Sequence, residues 1–162
     1  MALLSDTRAT RVQTLFQRFL HILFRMWRGL TLGVRAVIRN ENGEFLLVRH
    51  TYAPGWHFPG GGVEKGETVL QALSKEVEQE TGLHVGGLPK LHGVFHNSHV
   101  SQNDHVLVYE CSVDGEACFK NRSAEIAEMR YFGLSSLPDD ADPGTVRRIR
   151  EIVDKLRKSE VW

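Results

Sequence analysis

An α/β or α+β sandwich is predicted by three observations. Short apolar runs of strand composition outnumber helical ones, a helix with its own capping signal stands between them, and a second helix opened by proline follows the last run. At 162 residues, 41% hydrophobic and 25% charged, the chain suits one domain that buries a core, and disordered and fibrous classes drop out. No internal repeat, low-complexity tract or second domain interrupts it.

The first element is an amphipathic helix over residues 8–30, where Val12, Leu15, Phe16, Phe19, Leu23, Met26 and Trp27 recur at three- and four-residue spacing and Gly29 can stop it. Its longest uncharged run, Phe19 to Phe24, is far too short to span a bilayer. Seven arginines and one aspartate give residues 1–40 a charge of +6, balanced by −6 in the remainder. The wide apolar face needs a cover, and three remain open: the helix's own domain, a second copy in a homodimer, or an anionic membrane surface. Residues 1–30 are therefore read as a helical extension and residues 31–162 as the main domain. A net charge of zero argues against specific nucleic-acid binding. Cys111 and Cys118 lack metal-ligand partners at motif spacing, and no secretory leader is visible. A cytoplasmic compartment fits, with peripheral membrane attachment depending on the helix.

From Thr31, "TLGVRAVIRNENGEFLLVRH" predicts a β-hairpin turning at "NENG". The loop "APGWHFPGGG" leaves room for little more than a short strand near Trp56 to Phe58. Thr68 and Gln71 form a capping box, so a helix starts there, runs to Gly82 and buries a stripe of Leu70, Leu73 and Val77. "KLHGVFHN" and "HVLVYECSV" predict strands joined by a polar loop, and a shorter strand is expected around Met129 to Phe132. Pro143 opens the last helix, with Val146, Ile149, Ile152, Val153 and Leu156 on one side. His92, His96, His99 and His105 match no zinc spacing and read as surface or loop histidines.

The chemistry is concentrated in "GGVEKGETVLQALSKEVEQETGL", residues 61–83. On a helix Glu76, Gln79 and Glu80 share one face beside the Leu73 and Val77 stripe. Clustered carboxylates repel one another unless a cation lies between them, and hard oxygen donors of this kind suit Mg2+ or Mn2+. Acidic helix faces are commonly just solvated. Here Gly60, Gly61 and Gly62 shift the balance toward a site, because they let a backbone approach a cation or phosphate with no side chain between. Trp56, Phe58 and Tyr52 could stack on a base or plug the core. Arg35 and Arg49 could meet phosphates or be exposed strand charges.

The segment resembles the signature of Nudix hydrolases, G-x5-E-x7-R-E-U-x-E-E-x-G-U with U aliphatic. Gly61, Glu67, Glu76, Val77, Glu80, Gly82 and Leu83 match at the required spacing. The resemblance covers residues 31–158 in element order. It implies a Nudix fold, a mixed β-sheet sandwiched between helices, and hydrolysis of a nucleoside diphosphate linked to another moiety, with Mg2+ or Mn2+ and a small-molecule nucleotide substrate. It also implies that Glu76 and Glu80 ligate the metal, that the Gly61 carbonyl assists, and that Glu67 braces the box through residue 75. A further carboxylate is expected near the last strand, with Glu125 the candidate and Glu128 the alternate. Two positions depart from the signature. Lys75 replaces its arginine and lacks the guanidinium fork, and Gln79 replaces its first paired glutamate, keeping an oxygen but losing a charge. A slower hydrolase is expected, and a degenerate module that binds a nucleotide without cleaving it is the alternative.

Overall fold

The computed structural model describes residues 29–115, 117 and 125–162. The predicted N-terminal helix, up to residue 28, and Cys118 lie outside the described residues. Among the described residues, five strands and two α-helices come in the order β1 (Thr31–Ile38), β2 (Phe45–His50), α1 (Val69–Thr81), β3 (His84–His96), β4 (Asp104–Asp114), β5 (Ile126–Phe132) and α2 (Pro143–Val153). One sheet has the order β1-β4-β3, with β1 parallel to β4 and β3 antiparallel to it; β2 and β5 form a second, antiparallel sheet.

Alternation along β1 and β2 creates two cores. Val34, Ala36 and Ile38 of β1 and Leu46 and Val48 of β2 join Ala72, Leu73 and Val77 of α1. The intervening residues Val37, Phe45 and Leu47 join Phe95, Val108 and Ile149 of α2. Successive side chains on a strand point to opposite faces, so strands covered on both faces read as continuous apolar runs. Helix α1 covers one face and α2 the other.

The predicted hairpin is a tight turn that does not become a ladder. Asn40 closes the turn, its carbonyl accepting from Gly43 N at 2.9 Å, and a single antiparallel bridge joins Arg39 to Phe45. Beyond it β1 and β2 part, because the glycine loop occupies the edge that β2 would have used. Val34 N donates to Gly61 O at 2.9 Å, Ala36 N to Pro59 O at 2.8 Å, and Val63 N to Leu32 O at 2.8 Å. β2 in turn exchanges backbone bonds with His57 at 2.8 and 2.9 Å. The strand expected at Trp56 to Phe58 is thereby reduced to isolated bridges.

Helix α1 starts as its capping box predicts, with both reciprocal bonds of Thr68 and Gln71 formed, and ends at Gly82 with φ 73°. β3 begins earlier than predicted, at His84, because bulges around Gly86 to Lys90 and Leu91 to Gly93 absorb residues whose composition reads as loop. Helix α2 stops at Val153 instead of continuing to the end of the chain, leaving Val153 and Leu156 exposed. The stretch after it returns to β3, where His96 N donates to Glu160 O at 2.9 Å and Trp162 N to His96 O at 3.0 Å.

Gly60 is the tightest backbone approach. Its φ is +141°, and a Cβ there would stand 2.0 Å from Val34 O. Gly60→Ala is expected to cost at least about 2 kcal/mol, since a strained φ alone costs about 1–3 kcal/mol and the neighbour is backbone that cannot swing away. A urea melt checks this; an unchanged midpoint would mean that the loop relaxes off β1.

Candidate active site

The fold brings the carboxylates of α1 against the glycine loop. β1 holds the loop by its edge bonds, α1 crosses beneath it, and a Cβ built on Gly61 would lie 2.6 Å from the Glu76 carboxyl carbon. A side chain at 61 would force that carboxylate to swing aside. The Gly61 carbonyl already accepts from Val34 N, which leaves its second lone pair for another partner.

Glu80 is nearly enclosed. One of its carboxylate oxygens accepts from Gly60 N at 2.7 Å and the other lies 2.8 Å from His50 Nε2. Glu76 is half-buried, and its pKa is raised, first by burial and then by the charge of Glu80, with Lys75 and Arg35 opposing. A carboxylate whose charged form is opposed by burial and by a neighbouring charge is a donor that a cation would relieve. Among the described residues no three His, Cys, Asp or Glu side chains close a metal cage. The donors present suit an open site of the Mg2+ kind, where water and substrate phosphate complete the coordination.

Lys75 braces the box with a point charge. Its Nζ lies 2.7 Å from Glu67, 3.5 Å from Glu64 and 3.7 Å from Glu76, while Glu67 also accepts from Glu64 N at 3.0 Å. The hydrogen bond from Lys75 comes first among the causes that hold Glu67 below its ordinary pKa. The ammonium thus reaches three carboxylates without a guanidinium fork. Gln79 is exposed, lining a cleft on the outer side of α1 with Lys75, Glu78, Gly82 and His84.

Arg35 Nη1 donates to the carbonyls of Phe58 and Gly60, which sets its positive charge beside the loop and Glu76. The Glu125 carbonyl accepts from Thr51 N at 2.8 Å, and the Glu125 charge, like that of Arg35, acts on the Tyr52 phenol. That phenol has its pKa raised by partial desolvation first, then by Glu125 and Glu80, so Tyr52, 70% exposed, marks where these groups converge. Glu128 is drawn away into an ion pair with Arg49 on the β2–β5 surface.

Two expectations are corrected. Phe58 is fully enclosed and Trp56 is 5% exposed, with Phe132 edge-on to the indole at 4.9 Å, so both rings belong to the core and neither offers a face to a base. Arg49 packs over Trp56 and pairs with Glu128 on the β2–β5 surface. His92 is another departure, buried against Glu151 instead of lying on the surface. Sequence reasoning did not pair His50 with Glu80, although its place two residues beyond Val48 on the inward face of β2 carried the signal.

A family model described as the NUDIX domain matches residues 29–155. The chain belongs to the Nudix family. Among relatives of this Nudix chain, an RNA pyrophosphohydrolase of Coxiella burnetii is 38% identical over 82 residues, covering 49% of this chain and 36% of the relative. A NAD-capped RNA hydrolase, NudC, of Vibrio atlanticus is 29% identical over 128 residues, covering 76% and 46%. The Nudix chain thus spans between about a third and a half of the length of these two relatives. In architecture it is similar to a MutT NUDIX hydrolase from Burkholderia pseudomallei, with TM-score 0.66 and 24% identity over 76% of this chain and 98% of that one. No described helix of the Nudix domain is long and apolar enough to cross a membrane.

Proposed function

We propose that the chain is a hydrolase that cleaves a pyrophosphate bond in a nucleoside diphosphate derivative, a nucleotide or nucleotide conjugate, by metal-assisted attack of water. The observation that carries this reading is the convergence of Glu76 and Glu80 on the bare backbone of Gly60 and Gly61. Glu76 and Glu80 would hold Mg2+ or Mn2+, with the Gly61 carbonyl and the amide of Gln79 as further oxygens. When bound, the cation neutralises the pyrophosphate and acidifies a water. The rest of the work falls to the chain. Arg35 adds fixed positive charge beside the carboxylates, Glu67 and Lys75 hold the box in place, and Glu125 is the group to orient or deprotonate the attacking water. A cleft of about 360 Å3 opens from Arg35 toward His99, Asp142, Arg147 and Trp162 and gives the nucleoside a place. The names of the two relatives, an RNA pyrophosphohydrolase and a NAD-capped RNA hydrolase, support the reaction class.

Gln79 favours a second reading, a module that binds a nucleotide without cleaving it. One panel separates the two. Nucleoside triphosphates, sugar nucleotides and dinucleotides are incubated with Mg2+ or Mn2+ and the wild-type protein or Glu80→Gln, and phosphate or monophosphate release is followed. Metal-dependent turnover lost in the variant supports the hydrolase; tight nucleotide binding without turnover supports the module. Gln79→Glu restores a charged donor, and the Mg2+ concentration for half-maximal rate is expected to fall on the order of tenfold. No change would remove Gln79 from the ligand set.

A further inference from the structure

We propose that His50 is a positioning residue for the metal site, holding the Glu80 carboxylate in the orientation that receives the cation. The proposal rests on the metal-assisted reading above.

The placement follows from two periodicities that meet. On β2 the residues facing α1 are Leu46 and Val48, and His50 continues that stripe at a spacing of two. On α1 the residues facing β2 include Leu73 and Val77, and Glu80 continues that stripe three residues on. Each apolar stripe ends in one polar side chain, and the two ends meet: His50 is 6% exposed, Glu80 is 5% exposed, and Nε2 lies 2.8 Å from a carboxylate oxygen. The ladder supports the aim. The β2–β5 register shifts between Arg49 and His50, so that Arg49 opposes Glu128 but His50 opposes Ile126. Such bulges re-aim side chains beside active sites.

The chemistry is that of an orienting clamp. An ionised carboxylate only accepts, so His50 Nε2 carries the hydrogen and donates. Gly60 N donates to the other oxygen at 2.7 Å. Two donors on two oxygens, one from a strand and one from the loop, fix the rotation of the carboxylate. About four lone-pair sites serve a carboxylate, so two remain, held in fixed directions, to meet a cation. The His50 ring is itself packed, with Tyr52 at 5.1 Å and His57 at 5.9 Å between centroids. Hydrogen-bond partners of metal ligands typically change metal affinity by about 10–100-fold when removed.

The test uses nucleotide-free full-length protein and Mn2+ as the probe, with affinity read by calorimetry and folding by thermal melts. His50→Gln places an amide nitrogen near the Nε2 position, whereas His50→Asn places it near Nδ1, too short to reach Glu80. His50→Leu removes the donor altogether. The expected result is a loss of about 10–100-fold in Mn2+ affinity for His50→Asn and His50→Leu, with His50→Gln within a few-fold of wild type. If His50→Leu does not fold, the contrast between Gln and Asn decides the matter. Equal Mn2+ affinity in the Gln and Asn variants overturns the positioning role. The metal reading is judged separately: wild-type binding that Glu76→Gln weakens upholds it whatever His50 does. A wild type that binds no Mn2+ overturns both.

Discussion

Glu76→Gln is expected to lower metal-dependent turnover by about 10²–10³-fold while leaving the melting temperature undiminished. The rate loss follows from removing a charged donor from a site whose work is charge stabilisation and alignment, where single electrostatic partners are worth that much. The stability outcome follows from the raised pKa of Glu76. Burial and the neighbouring Glu80 charge both oppose its ionised form, so in the metal-free protein a neutral amide relieves an unfavourable charge. A structural glutamate would show the reverse pattern, with stability lost and turnover falling only in proportion to unfolded protein. Paired melts and single-turnover rates on the same preparations distinguish the two; a melting temperature lowered by several degrees would sink the assignment.

The largest stability effect is expected far from that site, in a charged cluster under α2. Arg148 is fully buried, stacked over the Phe95 ring at 3.8 Å, and it donates to Glu151 at 2.7 Å and to Val161 O at 3.1 Å. Glu151 also accepts from Ser159 N at 2.8 Å and faces His92 Nε2 at 3.2 Å. The cluster pins the stretch from Ser159 to Trp162 against β3 and α2. Removing one partner strands the other charge in the interior, so Glu151→Ala is expected to cost about 3–5 kcal/mol in a urea melt.

Acid should dismantle the same cluster. Burial raises the Glu151 pKa, but the bonds from Ser159 N, His92 and Arg148 outweigh it and hold the group below its ordinary value of 4.5. A depressed folded-state pKa means that the contribution is fully present above the ordinary carboxylate range and is lost as pH falls through the lower, folded value. Stability of the wild type should therefore drop below about pH 4.5 more steeply than that of Glu151→Gln. Parallel pH profiles for the two proteins would contradict this account.

The elements read best were those whose signals are local. Thr68 and Gln71 announced the start of α1 because a capping box satisfies backbone donors within one turn, and Gly82 announced its end because the left-handed cap requires no distant partner. The hairpin was misread for the opposite reason. Its turn chemistry is local and correct, but whether two strands pair along their length depends on what else competes for the edge, and the glycine loop wins β1 through three backbone bonds. Trp56 and Phe58 show the same limit: an aromatic in a proline-glycine loop has no periodicity to say which way it faces.

For the candidate site, sequence alone determined the carboxylate face of α1, the glycine approach and the departures at Lys75 and Gln79, since helical spacing and residue chemistry suffice for those. The tertiary structure decided what the carboxylates touch. Glu80 meets His50 from a strand thirty residues away in sequence, Lys75 finds Glu67 and Glu64 as well as its neighbour Glu76, and Arg148 is drawn into the interior by partners from β3 and the final residues. Hydrogen bonds and burial between distant segments depend on the packing of the whole domain, and no window along the chain contains them.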